Sequence, residues 1–281
     1  MEQERTFGYQ PPVEGLLTYR DESIWTLPEN WPDYRALGIG PEHIPALIQM
    51  ATDDILHELS EERIELWAPL HAWRTLGQLR AVEAIEPLLE LFDRMEDNDC
   101  VREELPVVFG RIGPAALPVF TAYLADASHR DSAQMSVSNS IAEVGKQWPE
   151  ARAQALAVLE GHLKLFEKNC PEVNAFFISA LVDLNATESV LLIKRAFAKK
   201  CVDPILLGDW EDVQIMLGLG STTERILTYA GAREEEHLLP APPDEKGFAA
   251  VPSQADHQQK ATQKKARSKM AKLPRKKNRR Q

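Results

Sequence analysis

Few residues of this chain combine the types and spacing that chemistry needs. His71 stands among Trp67, Trp73 and Arg74, a grouping that could frame an aromatic pocket around a base and a cation. At helical spacing the same tryptophans equally read as the packing face of a helix that His71 and Arg74 edge. Asp209-Trp210-Glu211-Asp212 could dock a basic partner. At a helix start it could instead supply Asp209 as N-cap and turn Trp210 inward. Cys100, Cys170 and Cys201 are far apart and none lies in a CxxC. That pattern argues against a disulfide framework or structural zinc and fits half-buried free thiols in a reducing compartment. GxSxG, Walker A, HExxH and GxGxxG motifs are absent. No catalytic constellation, metal or cofactor is therefore expected.

The elements that would position any site are set by internal similarity. Leu76–Phe92, LGQLRAVEAIEPLLELF, returns loosely at Leu37–Ala51, Phe109–Leu124, Val144–Leu159 and Leu181–Phe197. The shared glycine falls at 38, 77, 110 and 145, with Val182 in its place in the last copy. Steps of 33 to 39 residues suit units of two helices. The glycine is expected to stop the first helix with a left-handed cap. Pro45, Pro87 and Pro118 follow the start of the second apolar run, where first-turn amides have no intrahelical acceptor to lose. Ile85, Leu88, Leu89 and Phe92 then form one apolar stripe, with Glu83, Glu86, Glu90 and Asp93 opposite. No run of alternating β-branched residues suggests a strand.

The paired-helix pattern with its LG…A(I/V)xPLL signature resembles the HEAT repeat, above all the short bacterial form of the phycobilin lyases. Residues from about 10 to 230, including ELWAPLHAWRTLGQL and GDWEDVQIMLGL, also resemble uncharacterised bacterial HEAT-like proteins. The resemblance implies an all-α fold, an α-solenoid of about five HEAT-like helix pairs, on which many functions are known to sit. Deoxyhypusine hydroxylases share the helix pairs and bind two irons through several His-Glu dipeptides, of which only His57-Glu58 occurs here. His57 reads as a surface residue on a helix. Nothing beyond the generic repeat points to tetrapyrrole handling. HEAT-like DNA glycosylases need a basic, aromatic face, and the acidic repeats of this chain would repel a duplex.

Charge divides the chain sharply. The total is −11, yet residues 257–281 carry 11 Lys and Arg and no Asp or Glu. The remainder, 1–256, holds 21 basic against 43 acidic residues and so carries −22. The organisation expected is a cap over 1–36, a solenoid over 37–231, and a disordered linker and basic tail over 232–281. An acidic solenoid favours a basic protein or peptide, held on a concave surface by exposed second-helix residues: Gln49, Glu86, Glu90, Tyr123 and Lys194. The tail, with Lys264, Lys265, Arg267, Arg275, Lys276, Lys277, Arg279 and Arg280, has no aromatic residue. It could bind RNA, or a ribosome, by charge alone, weakly and without sequence preference. Its other use is to fold back on the acidic body. The longest uncharged stretch, Ile112–Ala125, has 14 residues, short of the roughly 20 that a membrane span needs. The acidic N-terminus lacks a secretory pattern, so a cytoplasmic, non-enzymatic scaffold is the expectation.

Overall fold

The computed structural model describes residues 7–19, 28–60 and 62–220, all within the compact unit Met1–Leu227. The second unit, Thr228–Gln281, lies outside the described residues, and with it the expected linker and basic tail. Among the described residues the secondary structure is all helical, with no strand. The α-helices are α1 (Ile44–Ala51), α2 (Asp54–His57), α3 (Ala68–Leu79), α4 (Ile85–Leu89), α5 (Leu91–Arg94), α6 (Asp99–Ile112) and α7 (Ala116–Ala125). They continue as α8 (Asp131–Gln147), α9 (Arg152–Leu163), α10 (Pro171–Asp183), α11 (Val190–Ala198), α12 (Pro204–Leu207) and α13 (Trp210–Met216). Short 3-10 turns, among them Val13–Thr18, Tyr34–Leu37 and Ile64–Trp67, fill the N-terminal part and several connections.

Local sequence explains these helices. In α8, Ala133, Val137, Ile141 and Val144 recur at intervals of three and four and are all fully buried. Asn98 caps α6 by accepting from the Val101 N–H at 3.2 Å. Pro45, Pro87 and Pro118 each lie within the first three residues of α1, α4 and α7, as expected of a residue without an amide proton. Asp209 and Asp212 form the reciprocal cap of α13, at 2.9 and 3.0 Å.

Packing follows a regular order. α3 packs on α6, α6 on α8, α8 on α10 and α10 on α12. On the other side α1 packs on α4, α4 on α7 and α7 on α9. The two series meet where α1 touches α3, α4 touches α6, α7 touches α8, and α9 touches both α8 and α10. Ile85, Leu88, Leu89 and Phe92 are buried between them. Phe92, Phe109 and Phe120 carry an aromatic chain through α5, α6 and α7, with centroids 5.9 and 5.2 Å apart.

The repeated glycine does something other than cap. Gly38 does stop its turn in the left-handed region, at φ 84°, but Gly77, Gly110 and Gly145 lie inside α3, α6 and α8. There they admit a neighbour. A Cβ on Gly110 would stand 2.9 Å from Glu143 Cβ and 2.5 Å from Gln147 Nε2, both on α8. Gly77 leaves more room, since a Cβ there would stand 3.3 Å from Arg111 Cβ and 3.6 Å from Val108 Cα of α6, whereas at Gly145 it would stand 2.8 Å from Leu184, just beyond α10. The left-handed closure of α3 falls instead to Arg80, at φ 53°, and the residue after the cap of α10, Asn185, has φ 50°. Trp148, after α8, reinforces the joint: its indole N–H donates to the Gly110 carbonyl at 2.8 Å, and Arg80 lies over its ring at 4.7 Å.

The N-terminal turns bury α3. Val13, Leu16, Trp31 and Tyr34 are buried, and Val13–Thr18 packs on α3 and on Ile64–Trp67. His71 and Arg74 therefore do not edge α3; both are fully buried. The Tyr34 hydroxyl and His71 Nδ1 are hydrogen-bonded at 2.7 Å, and Arg74 lies over the Trp31 ring. Gln78 accepts from the Tyr34 N–H at 3.2 Å and donates to the Pro32 carbonyl at 2.7 Å. Arg74 grips Glu104 of α6 at 2.7 and 3.2 Å through two nitrogens. Burial works against the charged guanidinium, but the Glu104 carboxylate outweighs it and holds the Arg74 pKa above its ordinary value.

This pair joins α3 to α6 at depth, which makes half of it worse than none. Glu104→Ala is expected to cost about 3–5 kcal/mol in urea denaturation, whereas Arg74→Met with Glu104→Leu recovers most of that loss. A double variant no more stable than Glu104→Ala would show that the pair is not a desolvated unit.

Candidate functional site

The exposed residues of α1, α4, α7, α9 and α11 make up the candidate binding surface. Gln49 on α1, Glu86 on α4, Glu90 at its C-cap and Lys194 on α11 are all exposed, as expected. α1, α4 and α7 are consecutive neighbours, so Gln49, Glu86 and Glu90 share one stretch of the second-helix side. Lys194, Arg195, Lys199 and Lys200 are exposed on and just after α11.

Tyr123 does not belong to this exposed set. It is 9% exposed, and its hydroxyl donates to Asp93 Oδ2 at 2.5 Å. His129 Nδ1 meets the same oxygen at 2.7 Å, and the two rings stack with centroids 3.5 Å apart and planes inclined by 15°. The Arg130 N–H donates to Asp93 Oδ1 at 3.1 Å, while the Arg130 side chain pairs with Glu96. Position along the helix pointed Tyr123 outward, but a carboxylate from α5 draws it in. Burial alone would raise the Asp93 pKa. The hydrogen bonds from Tyr123, Arg130 and His129 outweigh burial and hold it below the ordinary carboxylate range. Burial, reinforced by the Asp93 charge, pushes the Tyr123 phenol up, so it stays protonated and serves as a donor.

An imidazole oriented by a carboxylate is the arrangement of a general base. The hydroxyls on either side of His129 in sequence are engaged elsewhere: Ser128 is hydrogen-bonded to Asp126, and Ser132 donates to Glu96 at 3.3 Å. The cluster therefore acts as a clasp joining α5, the end of α7 and the start of α8. Sequence reasoning missed Asp93 and His129 as partners of Tyr123. The one signal was Asp93 on the polar side of the Ile85–Phe92 stripe.

The other candidates are also taken up by packing. His57 is half-buried at the end of α2: it stacks on Trp73 with centroids 5.7 Å apart, and both side chains bond the Ala51 carbonyl, at 3.1 and 2.9 Å. Trp210 packs towards Phe197, with centroids 6.1 Å apart. The three cysteines are free and half-buried. Burial, then the neighbouring Glu104, pushes the Cys100 thiol up to about 11, and burial does the same at Cys170. Neither is a ready thiolate nucleophile at neutral pH. No group of three or more His, Cys, Asp or Glu placed to hold a metal occurs among the described residues. No described helix is long and apolar enough to cross a membrane. Lys264, Lys265, Arg267, Arg275, Lys276, Lys277, Arg279 and Arg280 lie outside the described residues.

Comparison with family models, with curated proteins and with solved structures finds no match to the chain.

Buried imidazoles give this body a defined response to acid. Burial lowers the pKa of His57, against the pull of the Ala51 carbonyl, and lowers that of His162, which stacks on Phe177 at 4.4 Å. The unfolded chain takes up these protons first, near pH ~6.5. Their stabilisation is complete above that value and is lost as pH falls towards the folded-state pKa values. The thermal midpoint is expected to fall between about pH 7 and about pH 5, and to fall less in a His57→Gln, His162→Gln variant. Equal slopes for the two proteins would place the acid response elsewhere.

Proposed function

We propose that the chain is a non-enzymatic HEAT-like scaffold that holds a basic protein or peptide segment on its second helices. In this reading the observed order of helix contacts continues as a short curved solenoid of about five pairs, with the α1, α4, α7, α9 and α11 side concave. The observation that carries the proposal is the division of labour among ionisable groups. Arg74 with Glu104, and Asp93 with Tyr123 and His129, are turned into joints between helices. Glu86 and Glu90 are left exposed on adjoining turns of the second-helix side. A body of −22 charge adds long-range attraction for a cationic partner. A cytoplasmic location fits the three free thiols.

Glu86→Lys with Glu90→Lys reverses the local charge without touching buried atoms. The test is affinity capture with the full chain and with this variant, followed by titration of a retained partner. Proteins held by the parent are expected to bind the variant about tenfold more weakly or worse, with the difference shrinking as salt rises. An unchanged set of partners and affinities would remove α4 from the binding surface.

A second reading is favoured by the charge split itself: a factor recruited to RNA through the basic segment 257–281, which carries 11 positive and no negative charges. Counterion release would drive such binding without sequence preference. In filter binding at low salt, the full chain is expected to retain single-stranded RNA. A full-length variant with the eight named tail cations replaced by glutamine should not. Retention by both would shift the RNA surface to the helical body.

A further inference from the structure

Residues 1–256 hold 43 Asp and Glu against 21 Lys and Arg, so a cation in this body seldom lacks a carboxylate. Arg63, Arg74, Arg94, Arg102, Arg130 and Arg152 each pair with one. Arg80 and Arg111 do not. Neither guanidinium hydrogen-bonds or ion-pairs with any described residue, and Arg111 Nε is buried without an acceptor. A charged donor left unmet out of water costs stability, and a ligand that accepts from it removes that cost.

The two arginines stand at one junction. Arg80 closes α3, and Arg111 is the penultimate residue of α6. The helices meet at Gly77, where a Cβ would stand 3.3 Å from the Arg111 Cβ. Arg80, from α3, lies over the Trp148 ring at 4.7 Å, and α6 holds that indole through the Gly110 carbonyl. Arg111, from α6, lies over the Trp31 ring at 5.9 Å, and Arg74 of α3 covers the same ring at 5.2 Å. Each side chain thus crosses the α3–α6 junction to rest on an indole. The rings support the guanidiniums without accepting their in-plane N–H donors. Two nearby carboxylates are committed to other groups. Arg74 grips Glu104, while Lys146 and Gln147 take Glu143, which packs on Gly110, at 3.2 and 3.3 Å. Arg80 is exposed and Arg111 half-buried, so the junction is open to a ligand from solvent.

We propose that the junction of α3 and α6 is a binding site for a phosphate-type oxyanion, held between the Arg80 and Arg111 guanidiniums. Each offers a fork of parallel N–H donors. A tetrahedral oxyanion has oxygens enough for two forks, whereas one bidentate fork fills the two oxygens of a carboxylate. The indoles alongside favour an anion carried on a flat ring. The −22 charge of 1–256 opposes the long-range approach of any anion, so recognition here is by short contact rather than by steering. The site goes beyond the α4 surface, shares no residue with it, and gives the scaffold a second ligand of opposite charge.

Heteronuclear NMR of the arginine Nε–H groups in the full chain tests it, with sodium phosphate replacing sodium chloride at a constant ionic strength of about 0.15 M. Saturable shifts are expected at Arg80 and Arg111 and none at Arg74, which Glu104 already holds. Arg80→Gln and Arg111→Gln should each bind phosphate about tenfold more weakly or worse. Arg111→Lys, which keeps the charge and loses the fork, should weaken binding as well. Phenyl phosphate serves as a second probe. Tighter binding than inorganic phosphate supports a site for an anion on an aromatic carrier, and equal binding supports a site for the anion alone. The parent titration by itself can overturn the proposal, whatever the variants do to stability. Absence of a shift at both arginines would do so. An unsaturable drift shared equally with Arg35 and Arg195, which are exposed elsewhere, would reduce the pair to solvated surface cations.

Discussion

Helices α3, α6, α8 and α10 can pack in succession because each of the first three offers a bare backbone to the next. At Gly110 a single methyl group would collide with Glu143 and Gln147, so α6 and α8 approach more closely there than ordinary side chains permit. Everything peripheral is spaced by that approach. The second helices α4, α7 and α9 fill the angle left on one side, and their apolar stripes meet the buried faces of the first helices. Larger residues at Gly110 and Gly145 would push their helices away from the neighbours they face, whereas Gly77 has room for a small side chain. Val182, the bulkier equivalent, lies on α10, which packs on the short helix α12.

Polar groups then make the joints specific. Apolar stripes tolerate sliding by a turn, whereas a two-nitrogen grip of Arg74 on Glu104 has one geometry. Asp93 works similarly at another level, receiving Tyr123, His129 and the Arg130 N–H from two different segments. Such contacts carry little net stability for their cost of desolvation. Their larger effect is on register, which sets where the exposed Gln49, Glu86 and Glu90 stand relative to one another.

The helical fold was legible because its determinants are local. Apolar spacing in Ile85–Phe92, prolines in first turns and the Asp209 cap each act within a few residues. What escaped was decided at long range. A glycine that ends a helix and a glycine that admits a neighbour look alike in sequence, and only the position of α8 distinguishes them at Gly110. Arg74 and His71 are buried because Trp31 and Tyr34, some 40 residues earlier, close over them. Tyr123 turns inward because Asp93, 30 residues before it, supplies a carboxylate. The exposure of Glu86 and Glu90 could be read from helical period alone, since nothing distant competes for them.

Trp148 touches more of the chain than its position suggests. It follows α8, hydrogen-bonds the Gly110 carbonyl within α6, and lies beneath the guanidinium of Arg80 at the end of α3. Stacks whose members touch only their immediate neighbours can fray one member at a time. One indole spanning three successive first helices couples their opening, because loss of α6 forfeits its hydrogen bond, loss of α3 its cation–π contact and loss of α8 both. Residues from α3 to α8 should accordingly melt as one cooperative block, with fraying confined to the segments beyond it.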